Sequence, residues 1–388
     1  MYKIKTINNI SKIGLKNFDD KYTLGKDISD PDAIIVRSAK LHDMEFPKEL
    51  KFIGRAGAGV NNIPIDRASA AGIIVANAPG ANANAVKELV IAMMLMSSRR
   101  VLQGIDWVKE HIEEPGFTEE MEMSKKKFIG PEVRGKTIGI IGLGEVGTLI
   151  ANTCIDLGMK VYGYDPYITV KHAWYLNQQV KYERDIKAIF QNSDYITIHL
   201  PYTKETATLI NKDLLEMVKP GLRLMNFARG DLIDIDMLLP FLHSGKIAYY
   251  ITDFPDVRTK GDPSVINVPH LGASTPESED NSAIMVVNEI IDYLEKGIIR
   301  NSVNFPDCSL GELKDYVRIV ALHRNIPGML SQITSVLTKE HINISDLVNR
   351  SKKDWACTMI DVDNKFDEEF IKEKIKSIDA VVRVRMLK

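Results

Sequence analysis

A chain of 388 residues, 45% apolar and 26% charged, holds enough apolar material for two or three separate cores. Its net charge of −2 gives no electrostatic footprint for nucleic acid or an anionic membrane, and three widely spaced cysteines offer neither a metal motif nor a disulfide framework. The start, MYKIKTINNI, lacks the apolar run of a signal peptide and LVIAMMLM is too short to span a bilayer, so a cytoplasmic protein is expected.

In chain order, DAIIVRSA, LKFIGRAG and GIIVANAPG are short apolar runs ended by turn residues, which predicts buried strands of a parallel sheet with crossover helices. AVKELVIAMMLMSSRR, 85–100, reads as a long helix apolar on most sides. KKKF, 125–128, is either a solvated face or a set of cations for an anionic substrate, supplied in the second case to a neighbouring subunit. A second alternating block follows. Its strands are expected at TIGIIG (137–142), KVYGYD (160–165), YITIHL (195–200), LRLMNF (222–227) and YYITD (249–253), with INV before residue 270 closing the series. ASTPESEDNSAIMVVNEIIDYLEKG predicts a long helix with Thr275 as N-cap, Pro276 in the first turn and Gly297 at C′. After a linker at PDCSLGE, the pattern becomes βαββαβ in about 70 residues, the ferredoxin-like arrangement. The expected domains are 1–97 with 272–305, then 98–271, then 314–388.

Gly142, Gly144 and Gly147 have G-x-G-x-x-G spacing, after an apolar strand and at the opening of a helix. The first glycine allows a tight turn, the second lets backbone approach a pyrophosphate, and the third lets helix meet strand. Asp165, 18 residues after Gly147, suits ribose hydroxyls and would repel a 2′-phosphate, so NAD is favoured over NADP.

Hydride transfer to or from a 2-hydroxy acid needs a cation for the carboxylate and an acid/base for the hydroxyl proton. Arg229 follows LRLMNF at the carboxyl edge of the sheet, and its planar fork matches a carboxylate. His270 stands at a matching place after INV, with an imidazole suited to proton transfer near neutrality. Taken alone, the two could equally be a surface arginine and a core histidine.

GRAGAGVNNI, GKTIGIIGLGEVG, NFARG and PHLGASTPES together resemble the D-isomer-specific 2-hydroxyacid dehydrogenase family, along essentially the whole chain. The resemblance is strongest to its phosphoglycerate-oxidising branch. It implies a Rossmann-like NAD domain, a flavodoxin-like outer domain and NAD-dependent oxidation of D-3-phosphoglycerate to 3-phosphohydroxypyruvate, at the start of serine synthesis. It makes Arg229 the carboxylate arginine and His270 the acid/base, and places Asp253 beside the nicotinamide. Glu145, Val146, Phe227, Ala228 and Gly272 fall at cofactor-contacting positions, and Arg55, Ala58 and Gly59 on the substrate-facing loop. One departure stands out: the family glutamate expected five residues after the aspartate is Arg258. A cation beside His270 would disfavour the protonated imidazole. Asp256, or a backbone carbonyl, would then orient the ring in the glutamate's place. Activity on another small hydroxy acid, and an NAD-binding sensor without turnover, remain open alternatives.

ALHRNIPGML with HINISDL resembles an ACT domain, the amino-acid-binding regulatory module. Pro327 and Gly328 open a helix whose free N–H groups suit a carboxylate. The resemblance makes His323, Asn325 and Asn343 the contacts for serine as a feedback effector. The alternative is a dimerisation unit without ligand. A homodimer or homotetramer is expected.

Overall fold

The computed structural model describes residues 1–362 and 366–388. Contacts divide the chain into unit one, Met1–Asn82 with Pro276–Lys388, and unit two, Ala83–Thr275.

Unit one begins with five parallel strands, β1 (Tyr2–Ile7), β2 (Tyr22–Gly25), β3 (Ala33–Val36), β4 (Phe52–Arg55) and β5 (Ile74–Asn77), in the order β2-β1-β3-β4-β5. This is the flavodoxin-like order. β3, β4 and β5 are buried almost throughout, which is why they read as unbroken apolar runs. β1 alternates lysine with apolar residues and only Ile4 is fully buried, so its apolar signal is weak. The long helix Pro276–Lys296 lies against this sheet through Val286 and Ile290. A Cβ on Gly54 would come within 2.2 Å of Val286 Cγ1, so glycine in β4 is what lets the helix approach this closely.

Unit two carries seven parallel strands, β6 (Thr137–Ile141), β7 (Lys160–Tyr164), β8 (Lys181–Tyr182), β9 (Tyr195–Ile198), β10 (Leu222–Asn226), β11 (Ile247–Thr252) and β12 (Val265–Asn267). Their order is β12-β11-β10-β9-β6-β7-β8. The winding reverses between β6 and β9, the switch point where open α/β sheets bind ligands beyond their carboxyl ends. The helix Ala83–Ser98 belongs to this unit, so the division falls after residue 82, earlier than the 97 expected. Its Val90, Met93 and Met94 join the core of β6, β10 and β11.

The rest of unit one is a four-stranded antiparallel sheet, β13 (Val317–Arg324), β14 (Ile344–Lys352), β15 (Trp355–Val362) and β16 (Val381–Leu387), ordered β14-β15-β13-β16. One face packs with the helices Met329–Lys339 and Glu368–Lys376 through Ile319, Ala321 and Ile360. The other face, with Val320, Leu322 and Met359, shares a core with Phe52 and Val286. Arginines secure this docking. Arg385 donates to the carbonyls of Tyr293 and Leu294, the latter at 2.7 Å, and Arg318 Nη1 to that of Lys296 at 3.0 Å. These carbonyls belong to the long helix's last turn, where a cation complements the helix dipole. Among the described residues no helix is long and apolar enough to cross a membrane.

Candidate active site

The carboxyl ends of the unit-two strands bring the sequence candidates to one edge. β6 ends at Ile141, and the helix Glu145–Asp156 begins after three loop residues. Gly142 adopts φ +94°, and a Cβ there would meet the carbonyl oxygen of His199 at 2.6 Å. A Cβ on Gly147 would lie 1.9 Å from the oxygen of Gly142. Gly144 differs: nothing lies within 4 Å of the place its Cβ would occupy. Two glycines are thus required by the protein's own packing, while the third leaves a bare backbone at a helix N-terminus, open to a ligand. Asp165, just past β7, accepts from Leu143 N and Tyr167 N, each at 2.8 Å. Each oxygen retains acceptor capacity for a ribose hydroxyl. Loop, helix end and carboxylate fit a dinucleotide. Phe227 and Ala228, buried after β10, and the partly exposed Val146 complete the expected set at this edge.

At the end of β10 the fully buried Asn226 brackets the following turn. Its side chain accepts from Ala228 N at 3.1 Å and donates to the carbonyl of Arg229 at 2.8 Å. This leaves Arg229 extended, at φ −151°, with an exposed guanidinium. Asp253, at the end of β11, is only 2% exposed, and its Oδ1 has no hydrogen-bond partner. Burial pushes its carboxyl up, while the charges of His270 and Arg229 pull it back down. The exposed His270 meets Phe254 edge-on, with ring centroids 4.8 Å apart. A Cβ on Gly230 would touch Phe254 Cβ at 3.4 Å, and one on Gly272 would touch Asp253 Oδ2 at 3.6 Å. Phe254 thus lies between the arginine loop and the imidazole. The sequence reading missed it, although it directly follows Asp253.

Arg258 does not present a free cation. On the turn Val257–Thr259, its Nε and Nη2 grip Asp256 at 2.9 and 2.6 Å, and its Nη1 reaches Asp236 at 2.8 Å. The guanidinium holds the Asp256 carboxyl down at about 2. This corrects two expectations. Arg258 is balanced by two carboxylates and so lacks the unpaired charge that would disfavour protonation of His270. Asp256 is committed to Arg258 and is not the ring's substitute partner. On this edge Asp253 is the buried carboxylate whose Oδ1 has no hydrogen-bond partner.

His199, beyond β9, was also passed over. It follows the switch-point strand, and its backbone covers Gly142. Burial lowers its imidazole to about 3, so it is neutral at working pH, with Nε2 2.8 Å from Thr197 Oγ1. Its place after YITI was available from the topology rule alone.

Unit one carries two neighbouring arginines at the ends of β3 and β4. Arg55 ends β4 with a buried Nε that has no partner, and both burial and the charge of Arg37 push its pKa down. Gly57 at φ +137° makes room for it, since a Cβ there would lie 1.6 Å from Arg55 Nη1. Arg37, itself paired with Glu279 at 2.5 Å, follows β3 and was not foreseen. Ala58 is exposed and Gly59 partly so on the same loop. Lys125, Lys126 and Lys127 lie on an exposed turn of unit two, with Lys125 paired to Glu122.

In the ACT-like part, His323 is 2% exposed, with both ring nitrogens engaged: Nδ1 by the Arg324 carbonyl at 2.8 Å and Nε2 by Thr358 Oγ1 at 2.9 Å. It is a satisfied core histidine here, with no nitrogen presented to an effector. Asn325 donates to the carbonyl of Lys353 at 2.9 Å, and Asn343 is exposed. Among the described residues no cluster of metal-ligand type occurs.

Comparison with known proteins agrees with this geometry. Residues 91–272 match the model described as D-isomer specific 2-hydroxyacid dehydrogenase, NAD binding domain, and residues 317–380 match the ACT domain. A D-3-phosphoglycerate dehydrogenase of Haemophilus influenzae is 30% identical over 355 residues, 89% of this chain and 83% of the relative. That of Archaeoglobus fulgidus is 36% identical over 305 residues, 76% of this chain but 55% of the relative. The Bacillus subtilis protein of the same name is 35% identical, over 80% of this chain and 58% of its own length. The matched region is thus little more than half of these last two relatives. A NAD+-bound 3-phosphoglycerate dehydrogenase from Entamoeba histolytica superimposes with a TM-score of 0.59 at 27% identity, covering 78% of this chain and 98% of that one.

Proposed function

Since the chain belongs to the D-isomer-specific 2-hydroxyacid dehydrogenase family, we propose that it oxidises D-3-phosphoglycerate to 3-phosphohydroxypyruvate with NAD, the entry step of serine synthesis. The observation that carries this reading is one sheet edge: Arg229 after β10, the buried Asp253 with its unpartnered Oδ1 after β11, and His270 packed edge-on against Phe254, beside the glycine loop after β6. Arg229 grips the substrate carboxylate and polarises C2. His270 takes the hydroxyl proton. Asp253 stabilises the imidazolium so formed, the task the family glutamate would have had, and Phe254 fixes the plane of the ring. NAD, when bound, supplies the hydride acceptor for C2; Gly142, Gly144, Gly147 and Asp165 would hold it. The test is NADH formation with D-3-phosphoglycerate, D-glycerate and D-lactate, each with NAD and with NADP. Turnover should be fastest with D-3-phosphoglycerate and NAD. Faster turnover of an unphosphorylated acid would reassign the substrate, and no turnover with any would favour a sensor.

Serine is assigned to the ACT domain through Asn325 and Asn343, and calorimetric titration of serine should give heat with wild type and less with Asn343→Ala. We assign the apolar residues exposed around the helix Val101–His111, namely Val101, Ile105, Ile112 and Ile129, to a homodimer contact, which sedimentation would reveal. The three free cysteines suit a reducing, cytoplasmic setting.

A further inference from the structure

Glu145 opens the helix Glu145–Asp156 immediately after Gly144. A carboxylate suits a bare helix end but competes with a second anion that the same end must hold. The N–H groups of that helix end attract a diphosphate, and a carboxylate beside them repels it. The structure gives Glu145 one cationic neighbour, Lys171, and one imidazole, His172, from a distant stretch of sequence. Lys171 Nζ lies 2.7 Å, and His172 Nε2 3.2 Å, from Glu145 Oε1. Both sit on the short helix Val170–Tyr175, in the segment that follows Asp165. Thr169 fixes the start of this helix: its Oγ1 accepts from His172 N at 3.2 Å and lies 3.0 Å from His172 Nδ1. Burial alone would push the Glu145 carboxyl up, but these two neighbours outweigh it and hold the group below its usual range. Glu145 is therefore ionised at neutral pH, and its charge is matched locally rather than absent.

We propose that Lys171, seconded by His172, is a cofactor-affinity residue that cancels the charge of Glu145 at the diphosphate end of the glycine loop. The inference rests on the NAD reading of this loop. It concerns net charge. With Glu145 and Lys171 both present, their charges sum to zero. Removing the lysine leaves an uncompensated anion facing the diphosphate, and removing both restores neutrality. Because Lys171 is 63% and Glu145 39% exposed, the effect is screened and modest.

The experiment measures binding of NADH, ADP-ribose and adenosine to wild type, Lys171→Ala, Glu145→Gln and the double variant, at low and high salt. Lys171→Ala should weaken NADH and ADP-ribose about fivefold, Glu145→Gln should tighten both by a similar factor, and the double variant should return to wild type. The differences should vanish near 1 M salt. Adenosine, which has no diphosphate, should be indifferent to all three changes. Unchanged NADH affinity in Lys171→Ala would overturn the proposal, as would a double variant as weak as Lys171→Ala or an equal loss with adenosine. Wild type that binds neither NADH nor ADP-ribose would instead bring down the NAD reading, and this inference with it.

Discussion

Replacing Glu289 with glutamine should remove a pH-dependent weakness from unit one. Glu289 lies on the helix Pro276–Lys296 and is 5% exposed. Its Oε1 accepts from Asn301 Nδ2 at 2.6 Å, but its Oε2 has no partner. Burial, helped by the like charges of Asp307 and Asp292, raises the carboxyl from its ordinary 4.5 to about 8. The folded chain therefore binds this proton more tightly than the unfolded chain. The stabilisation is fully present below pH 4.5 and is lost as the pH rises through about 8. At ~1.36 kcal/mol per pH unit, the whole window is worth at most ~5 kcal/mol, and local relaxation and water entry reduce that to about 2 kcal/mol. Glutamine cannot ionise and keeps the acceptor for Asn301. Wild type and Glu289→Gln should therefore melt together near pH 5, and the variant should melt roughly 5 °C higher near pH 8.5. Calorimetric scans of both proteins across that range are the assay. A constant gap between them, or a variant less stable at pH 8.5, would refute the reasoning.

Other outcomes follow from the same geometry. Gly144→Ala should fold with an unchanged melting temperature yet lose NADH affinity, because its Cβ fills open space at the loop, whereas Gly147→Ala should destabilise unit two through its 1.9 Å clash with the Gly142 oxygen. Paired melting and NADH-fluorescence measurements distinguish the two. Asp253→Asn should lower kcat by roughly a hundredfold while leaving NADH affinity within a few-fold, as steady-state kinetics and fluorescence titration would show. Arg318 is fully buried and bonds Asp361 at 2.7 and 2.8 Å, so Arg318→Ala leaves a buried carboxylate unpaired. It should cost about 3–5 kcal/mol, seen as a lower melting temperature and faster proteolysis of the ACT-like part.

Parts of this structure were legible in the sequence because burial on both faces writes itself as apolar runs. β3 through β7, β10 and β11 fall where DAIIVRSA, TIGIIG and their counterparts placed them. β1 was not, because a strand with one fully buried residue carries no such run. The glycine motif was readable since each glycine answers a local demand, two of them a clash and one an opening. Side-chain pairings across the fold were not. Nothing in TDFPDVRTKGDP says that Arg258 turns toward Asp236, 22 residues earlier, rather than toward the imidazole. Lys171 likewise lies 26 residues from the Glu145 it neutralises. His323 was read as a ligand contact because sequence does not show that Thr358, 35 residues on, already meets its second nitrogen.

One isotope experiment tests the central claim most directly. D-3-phosphoglycerate carrying deuterium at C2 is turned over with NAD, and the product NADH and the solvent are examined by mass spectrometry and NMR. The account predicts the label at the nicotinamide C4 of NADH, a slowed reaction if hydride transfer limits the rate, and loss of about a thousandfold or more of that transfer in His270→Ala. Deuterium released to water, or transfer undiminished in His270→Ala and Arg229→Ala alike, would contradict it.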